Sequence, residues 1–278
     1  MPSAPPWQAG VGEVRPEIKE LAARLVQTAG TWSAGTSSVA DLRTRLTDAG
    51  FDPALADGAG ALLADAPAAS LAVTYPQYGG LSGRRASVMV TAEQALVIGG
   101  ALTRRGHTVD VRLVEGATGG QWSVQDVLPG VPDPPGAPLE AAARGVLENA
   151  RITLPDAAAA DIRAGLVDRQ VLAVLAGLAA DHELTVSVFI TGHPRNVFGT
   201  DRVSKHTLGK AVDIWAIDGQ AVVDPDTPRD LVTSVMRRAV SLGAVEVGGP
   251  VDLDVRGGGT FFTDQVHQDH VHIAVRGR

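Results

Sequence analysis

Two short stretches of the 278-residue chain hold the residue types that metal chemistry requires. The first is Ser204-Lys-His206-Thr-Leu-Gly209-Lys-Ala211-Val-Asp213-Ile-Trp, and the second is His267-Gln-Asp269-His270-Val-His272-Ile-Ala. His270 and His272 are separated by one residue in a stretch that reads as a strand. Successive strand side chains alternate, so both imidazoles fall on one face, a natural start for a transition-metal site. Between His206 and Asp213, Gly209 permits a turn into the alternating strand AVDIWAI. A His and an Asp brought beside one of the later histidines supply two nitrogens and one oxygen. Three protein ligands leave a fourth position for water, as in a catalytic rather than a structural zinc site. A single carboxylate leaves the metal net positive, able to acidify its water and polarise a carbonyl. His107, His182 and His193 read instead as surface or hydrogen-bonded residues.

The pattern S-x-H-x-x-G-x-A-x-D followed by H-x-H resembles the signature of the zinc D-Ala-D-Ala carboxypeptidases and their relatives. Those relatives include the lysostaphin-type endopeptidases, the penicillin-insensitive murein endopeptidases and the hedgehog signalling domain. The three histidines of His267–His272 look most like the murein endopeptidase version. The likeness covers roughly residues 150–278 and is specific at the two motifs. It implies an antiparallel sheet flanked by helices, a zinc cofactor, and a peptidoglycan stem peptide or cross-link as substrate. It also implies that His206, Asp213 and His272 are the zinc ligands and that His270, helped by His267, is the catalytic base. Some relatives use a carboxylate three residues before the last ligand, a position filled here by Asp269. On a regular strand Asp269 faces away from His270 and His272, so it stands second to His270 unless a bulge turns it. Relatives carry an arginine in an upstream S-G-Y-R segment. The corresponding stretch here is Thr191-Gly-His-Pro-Arg195, with the arginine displaced by one residue. Arg195, Arg202 and Ser204 are the expected substrate-binding residues. Carboxypeptidase and endopeptidase action both remain open, as do a metal-holding wall-binding module without hydrolysis and a peptidase for a non-wall peptide.

These motifs need elements to hold them. Leu139–Asn149, Pro155–Leu166, Asp168–His182 and Asp230–Leu242 have helical apolar spacing, while Leu184–Ile190, Val245–Val247 and Val271–Val275 read as strands. Helices and short strands without regular βαβ alternation predict an α+β domain over 139–278. Five prolines in PGVPDPPGAP predict a semi-rigid linker over 129–138. Residues 15–128 form a second α+β domain. Glu17–Ala29 and Thr36–Ala49 are its helices, with a third around Pro53–Ala64. Its strands are Ser70–Tyr75, Ala86–Thr91, Thr108–Val114 and Gln121–Val127. Ala92–Arg105 fits either a helix or a continued strand. This helices-then-sheet order resembles a cystatin-like or nuclear-transport-factor-like module. Trp7, Trp32 and Trp122 read as core or boundary residues, and residues 1–14 as a disordered lead-in.

Composition narrows the partners. With 45% hydrophobic and 20% charged residues the chain can bury a core. A net charge of −7 makes a polyanion such as nucleic acid a poor partner. Having no cysteine excludes disulfides, thiolate zinc sites, iron–sulfur clusters and a cysteine nucleophile. No stretch approaches the roughly 18–20 uncharged apolar residues of a spanning helix. The first residues, MPSAPPWQAG, lack the charged and apolar regions of a signal peptide. A wall substrate nevertheless predicts action outside the membrane, with a signal or anchor upstream of Ser3 in the precursor.

Overall fold

The computed structural model describes residues 3–33, 35–136, 138–254 and 258–277. It is an α+β chain that divides into two compact units, one of Met1–Ala9 with Arg15–Gly130, the other of Gly10–Val14 with Val131–Arg278.

In the first unit, helix α1 (Pro16–Gly30) buries Ile18, Ala22, Leu25, Val26 and Ala29, the face set by its 3.6-residue spacing. Helix α2 (Val39–Asp48) begins with a reciprocal capping box between Ser38 and Asp41. The helix expected around Pro53–Ala64 is broken: a 3₁₀ turn at Pro53–Leu55, α3 (Ala56–Ala59) and a second 3₁₀ turn at Gly60–Leu62. At Gly58 a Cβ would meet the Val127 carbonyl at 2.0 Å, so chain packs against chain there. Four antiparallel strands follow in meander order, β1 (Ala68–Ser82), β2 (Arg85–Ile98), β3 (Ala101–Glu115) and β4 (Trp122–Pro129). The first three are much longer than the apolar runs predicted, β4 matches its run to within two residues at each end, and the Ala92–Arg105 ambiguity resolves as strand. Its hairpin turns on Gly99 and Gly100, both at positive φ, as a two-residue turn with right-handed strand twist requires. Pro76 is tolerated because β1 is an edge strand with two bulges. Residues near the N-terminus pack on this unit: Ala4 N–H donates to Ser70 Oγ at 3.0 Å, and Trp7 sets its edge on Tyr75. Trp32 is buried, its Nε1–H donating to Ala66 O.

In the second unit, the strands β5 (Ile152–Thr153), β6 (Leu184–Val188), β7 (Ala211–Ile217), β9 (Glu246–Gly248), β10 (Phe261–Phe262) and β11 (Val271–Ala274) run in the order β10-β9-β11-β7-β6-β5, with β8 (Gln220–Ala221) paired to β7. The sheet is mixed: the central ladders are antiparallel, while β10 joins β9 and β5 joins β6 in parallel. Helices α4 (Ala141–Leu147), α5 (Asp156–Arg163), α6 (Arg169–Ala179) and α7 (Arg229–Ser241) supply the core partners. Val212 and Ile214 of β7, Val271 and Ile273 of β11 and Val186 of β6 join this core with Val171, Leu175, Leu178, Val235 and Met236. Strand alternation then sends Asp213 and His272 to the opposite face.

One buried carboxyl ties helix to sheet. Asp161 of α5 accepts the backbone N–H groups of Ile190 and Thr191, both at 2.9 Å, and the Thr191 hydroxyl at 2.6 Å. It thereby fixes the exit of β6, where the chain leaves the sheet toward His193. Asp161→Ala strands two part-buried N–H donors, each worth about 1–3 kcal/mol when left unsatisfied. Urea unfolding of this variant should show a loss of roughly 2–5 kcal/mol. A change within measurement error would mean that the carboxyl does not hold this junction.

Candidate metal centre

Register creates the site. Asp213 on β7 and His272 on β11 are direct cross-strand partners, and His272 also pairs with Gly248 on β9. His206 arrives from the turn ahead of β7. Gly209, at φ +67°, carries the chain through that turn, and a Cβ there would meet the Leu166 carbonyl at 2.0 Å. Glycine is thus required twice over, by conformation and by space. The Ser204 hydroxyl accepts the His206 N–H at 3.2 Å and steadies the same turn.

The result is a small triangle of donor atoms. His206 Nε2 lies 3.1 Å from Asp213 Oδ1, His272 Nδ1 lies 2.9 Å from that oxygen, and the two nitrogens are 3.0 Å apart. All three residues are buried. Ligands bound tetrahedrally at about 2.0–2.1 Å stand about 3.3 Å apart, so the triangle is close to the size a small cation needs. The outer nitrogens are already assigned. His206 Nδ1–H donates to the Phe189 carbonyl at 2.6 Å, which leaves the Nε2 lone pair pointing inward. His272 is turned the other way, with Nε2 facing Glu246 Oε1 at 3.8 Å and Nδ1 in the triangle. An oxygen acceptor behind each imidazole is the arrangement that orients metal-bound histidines.

His193 belongs here too, which the sequence reading had missed. Its ring stacks on His206 at 4.0 Å and 16°. His193, His206 and Asp213 can hold a metal ion, their ligand atoms all lying within 4.8 Å of one another. Its Nδ1–H donates to the Pro194 carbonyl at 2.7 Å, leaving Nε2 as the donor atom. Enclosure, and then repulsion from His206, push its protonation well below the usual histidine range, so it stays neutral. Spacing alone could not reveal it, because it forms no motif with the others and reaches His206 only through the folding back of the connection between β6 and β7.

Asp269 requires a correction. Strand alternation was expected to turn it away from His270, yet Asp269 Oδ1 accepts the His270 Nδ1–H at 2.6 Å and both are buried. The reason is local: β11 begins at Val271, and residues 267–270 form a turn to which alternation does not apply. Asp269 therefore holds the Nδ1 side of the His270 ring, and His270 Nε2 is left facing Asp213 Oδ2 at 3.6 Å. His267, its Nδ1–H held by Asp264 Oδ1 at 2.7 Å, lies 5.0 Å from His270 and 5.7 Å from His272 between ring centres. The expected substrate contacts lie in one hairpin, in which Asn196 and Val203 form a bridge and Ser204 N–H donates to Arg195 O. Arg195 and Arg202 are exposed there, whereas Ser204 is buried. His107 bonds Gln94 in the first unit, and His182 bonds Asp218 in the second.

Electrostatics follow from the crowding. Burial opposes ionisation of Asp213, but His206 and His270 outweigh it and hold its carboxyl well below the usual range. Glu246, facing His272 and bonded to Lys205 at 2.9 Å, is held down to about 2 despite partial burial. Burial would lower His272, but its bonds to Asp213 and Glu246 win and raise it to about 9 in the metal-free chain. The raised His272 favours a proton on Nδ1 facing Asp213, on the side that a metal ion would take.

No family model, curated protein or solved structure matches this chain.

The raised value of His272 sets a sign. A group raised from about 6.5 to about 9 stabilises the fold fully below the lower value and loses that contribution as pH climbs through the upper one. Chelator-stripped protein should therefore melt at progressively lower temperature between pH 7 and 9.5. Metal must displace the same proton, so its apparent affinity should rise across that window. A flat melting profile together with pH-independent affinity would refute this account of His272.

Proposed function

We propose that this chain is a zinc-dependent peptidase that hydrolyses an amide bond in a peptidoglycan stem peptide or cross-link. The observation that carries the reading is the buried triangle of His206 Nε2, Asp213 Oδ1 and His272 Nδ1, with His270 beside it and oriented by Asp269. Two imidazoles and one carboxylate suit zinc among the metals that N/O sites take. The likeness of the two motifs to the zinc D-Ala-D-Ala carboxypeptidases and murein endopeptidases supports the substrate class. A wall substrate places the action outside the membrane. Among the described residues no helix is long and apolar enough to cross one.

When bound, zinc would supply a Lewis acid that polarises the scissile carbonyl and makes water acidic enough to react near neutral pH. The chain's own residues then divide the remaining work. His206, Asp213 and His272 hold the ion, with Phe189 O and Glu246 keeping the two imidazoles in their tautomers. Asp269 fixes a proton on His270 Nδ1, so Nε2 is the atom that accepts the proton of the attacking water. As the carbon–nitrogen bond breaks, His270 returns that proton to the leaving amine. A positioned base of this kind contributes about 10²–10⁴-fold.

One observation favours the rival reading of a metal-holding module without hydrolysis. His193 offers a further nitrogen beside His206 and Asp213, and a fourth protein donor would close the ion to water.

The test is digestion of several purified wall types by metal-loaded protein, with release of new amine termini as the readout. His270→Ala should keep one equivalent of zinc and lose turnover by about 10²-fold or more. Asp269→Asn should keep the metal and lose activity more mildly, since it loosens the base without removing it. His272→Ala should lose both metal and activity. Wall fragments bound without any cleavage would overturn the peptidase reading in favour of the binding module.

A further inference from the structure

We propose a second metal position, formed by His267 Nε2, His270 Nε2 and Oδ2 of Asp213, with the Asp213 carboxylate bridging it to the first. This rests on the reading of His206, Asp213 and His272 as the first ion's ligands. Three observations carry it. Asp213 divides its two oxygens: Oδ1 faces His206 and His272, while Oδ2 faces His270 Nε2 at 3.6 Å. That spacing is close to the separation of two ligands on one ion at about 2.0–2.2 Å. Next, His267 and His270 are each backed by an aspartate on Nδ1, at 2.7 Å and 2.6 Å, so each exposes an Nε2 lone pair. A carboxylate behind an imidazole is how histidines are prepared for metals, and a lone general base needs only one such residue. Finally, the ring edge of His267 that carries Nε2 lies over the sheet: Cδ2 is 2.8 Å from where a Cβ of Gly248 would be, and Gly248 is the partner of His272. That edge therefore lies over the face of the sheet that carries His272, and the ring centre is 5.0 Å from that of His270.

Charge suits two dications. Asp213, Asp264, Asp269 and Glu246 surround the cluster, with Lys205 offsetting only Glu246. Carboxylate-bridged ions stand about 3.5–4 Å apart in two-metal sites. The second ion binds more weakly, because it shares its one carboxylate with the first. It also takes the lone pair that His270 uses as a base, so zinc beyond one equivalent suppresses turnover.

The experiment is calorimetric titration of zinc ions into the chelator-stripped full chain, with metal analysis after gel filtration. Two equivalents are expected, the second at least tenfold weaker. His267→Ala should bind one, and Asp264→Asn should weaken only the second. His182→Ala, which alters a histidine paired to Asp218, should still bind two. Thermal melting checks that each variant is folded. One equivalent in the unaltered chain overturns the second position and leaves the single-ion reading standing. No zinc bound overturns both. Loss of the second equivalent in His182→Ala, with retention in His267→Ala, assigns it to the surface and overturns the proposal.

Discussion

The cross-strand pairing of Asp213 with His272 is the constraint on which the site depends. Those residues are far apart in sequence, and only the β7–β11 ladder makes them neighbours. The ladder is held by what lies behind it: Val212, Ile214, Val271 and Ile273 face the helices, and their burial leaves the intervening residues no choice of face. A slip of one residue would put both donors into the apolar core and their neighbours into the cleft. Hydrophobic burial on one face of the sheet thus decides where the polar chemistry stands on the other.

Around this pair, the backbone and the carboxylates do a second job, which is to settle protons. The histidines of the cluster each meet an oxygen on their outer side: Phe189 O, Pro194 O, Asp264, Asp269 and Glu246. An imidazole without such a partner would divide its time between tautomers and present a lone pair only part of the time. Asp161 extends the same logic outward, because it holds the strand exit that delivers both the Phe189 carbonyl and the His193 loop.

Legibility in the sequence tracked how local each signal was. The α+β class, the helices of the second unit and the two motifs that carry His206 with Asp213 and His270 with His272 were readable, since each depends on spacing within a short segment. The joining of the two motifs came from the resemblance and not from spacing. Strand length in the first unit was not, because Ala92–Arg105 mixes polar and apolar residues and is held as strand by its neighbours. Asp269 was misjudged for the opposite reason: a valid rule of alternation was applied two residues before the strand begins. His193 and Asp161 left no trace in the sequence. Their roles arise from the folding back of one long connection and from helix packing, neither of which periodicity encodes.

Gly248 shows how closely the His267 turn packs on the sheet. It lies opposite His272, and the Phe262 ring and His267 lean into the space where a side chain would stand, at 2.5 Å and 2.8 Å from a hypothetical Cβ. The turn therefore rests on an atom that is not there. Any residue larger than glycine would act as a wedge and lift the His267 turn away from the sheet. The distance between the sheet and the His267 turn is thus set by a single hydrogen atom on Gly248, and a larger residue there would move His267 relative to His270 and His272.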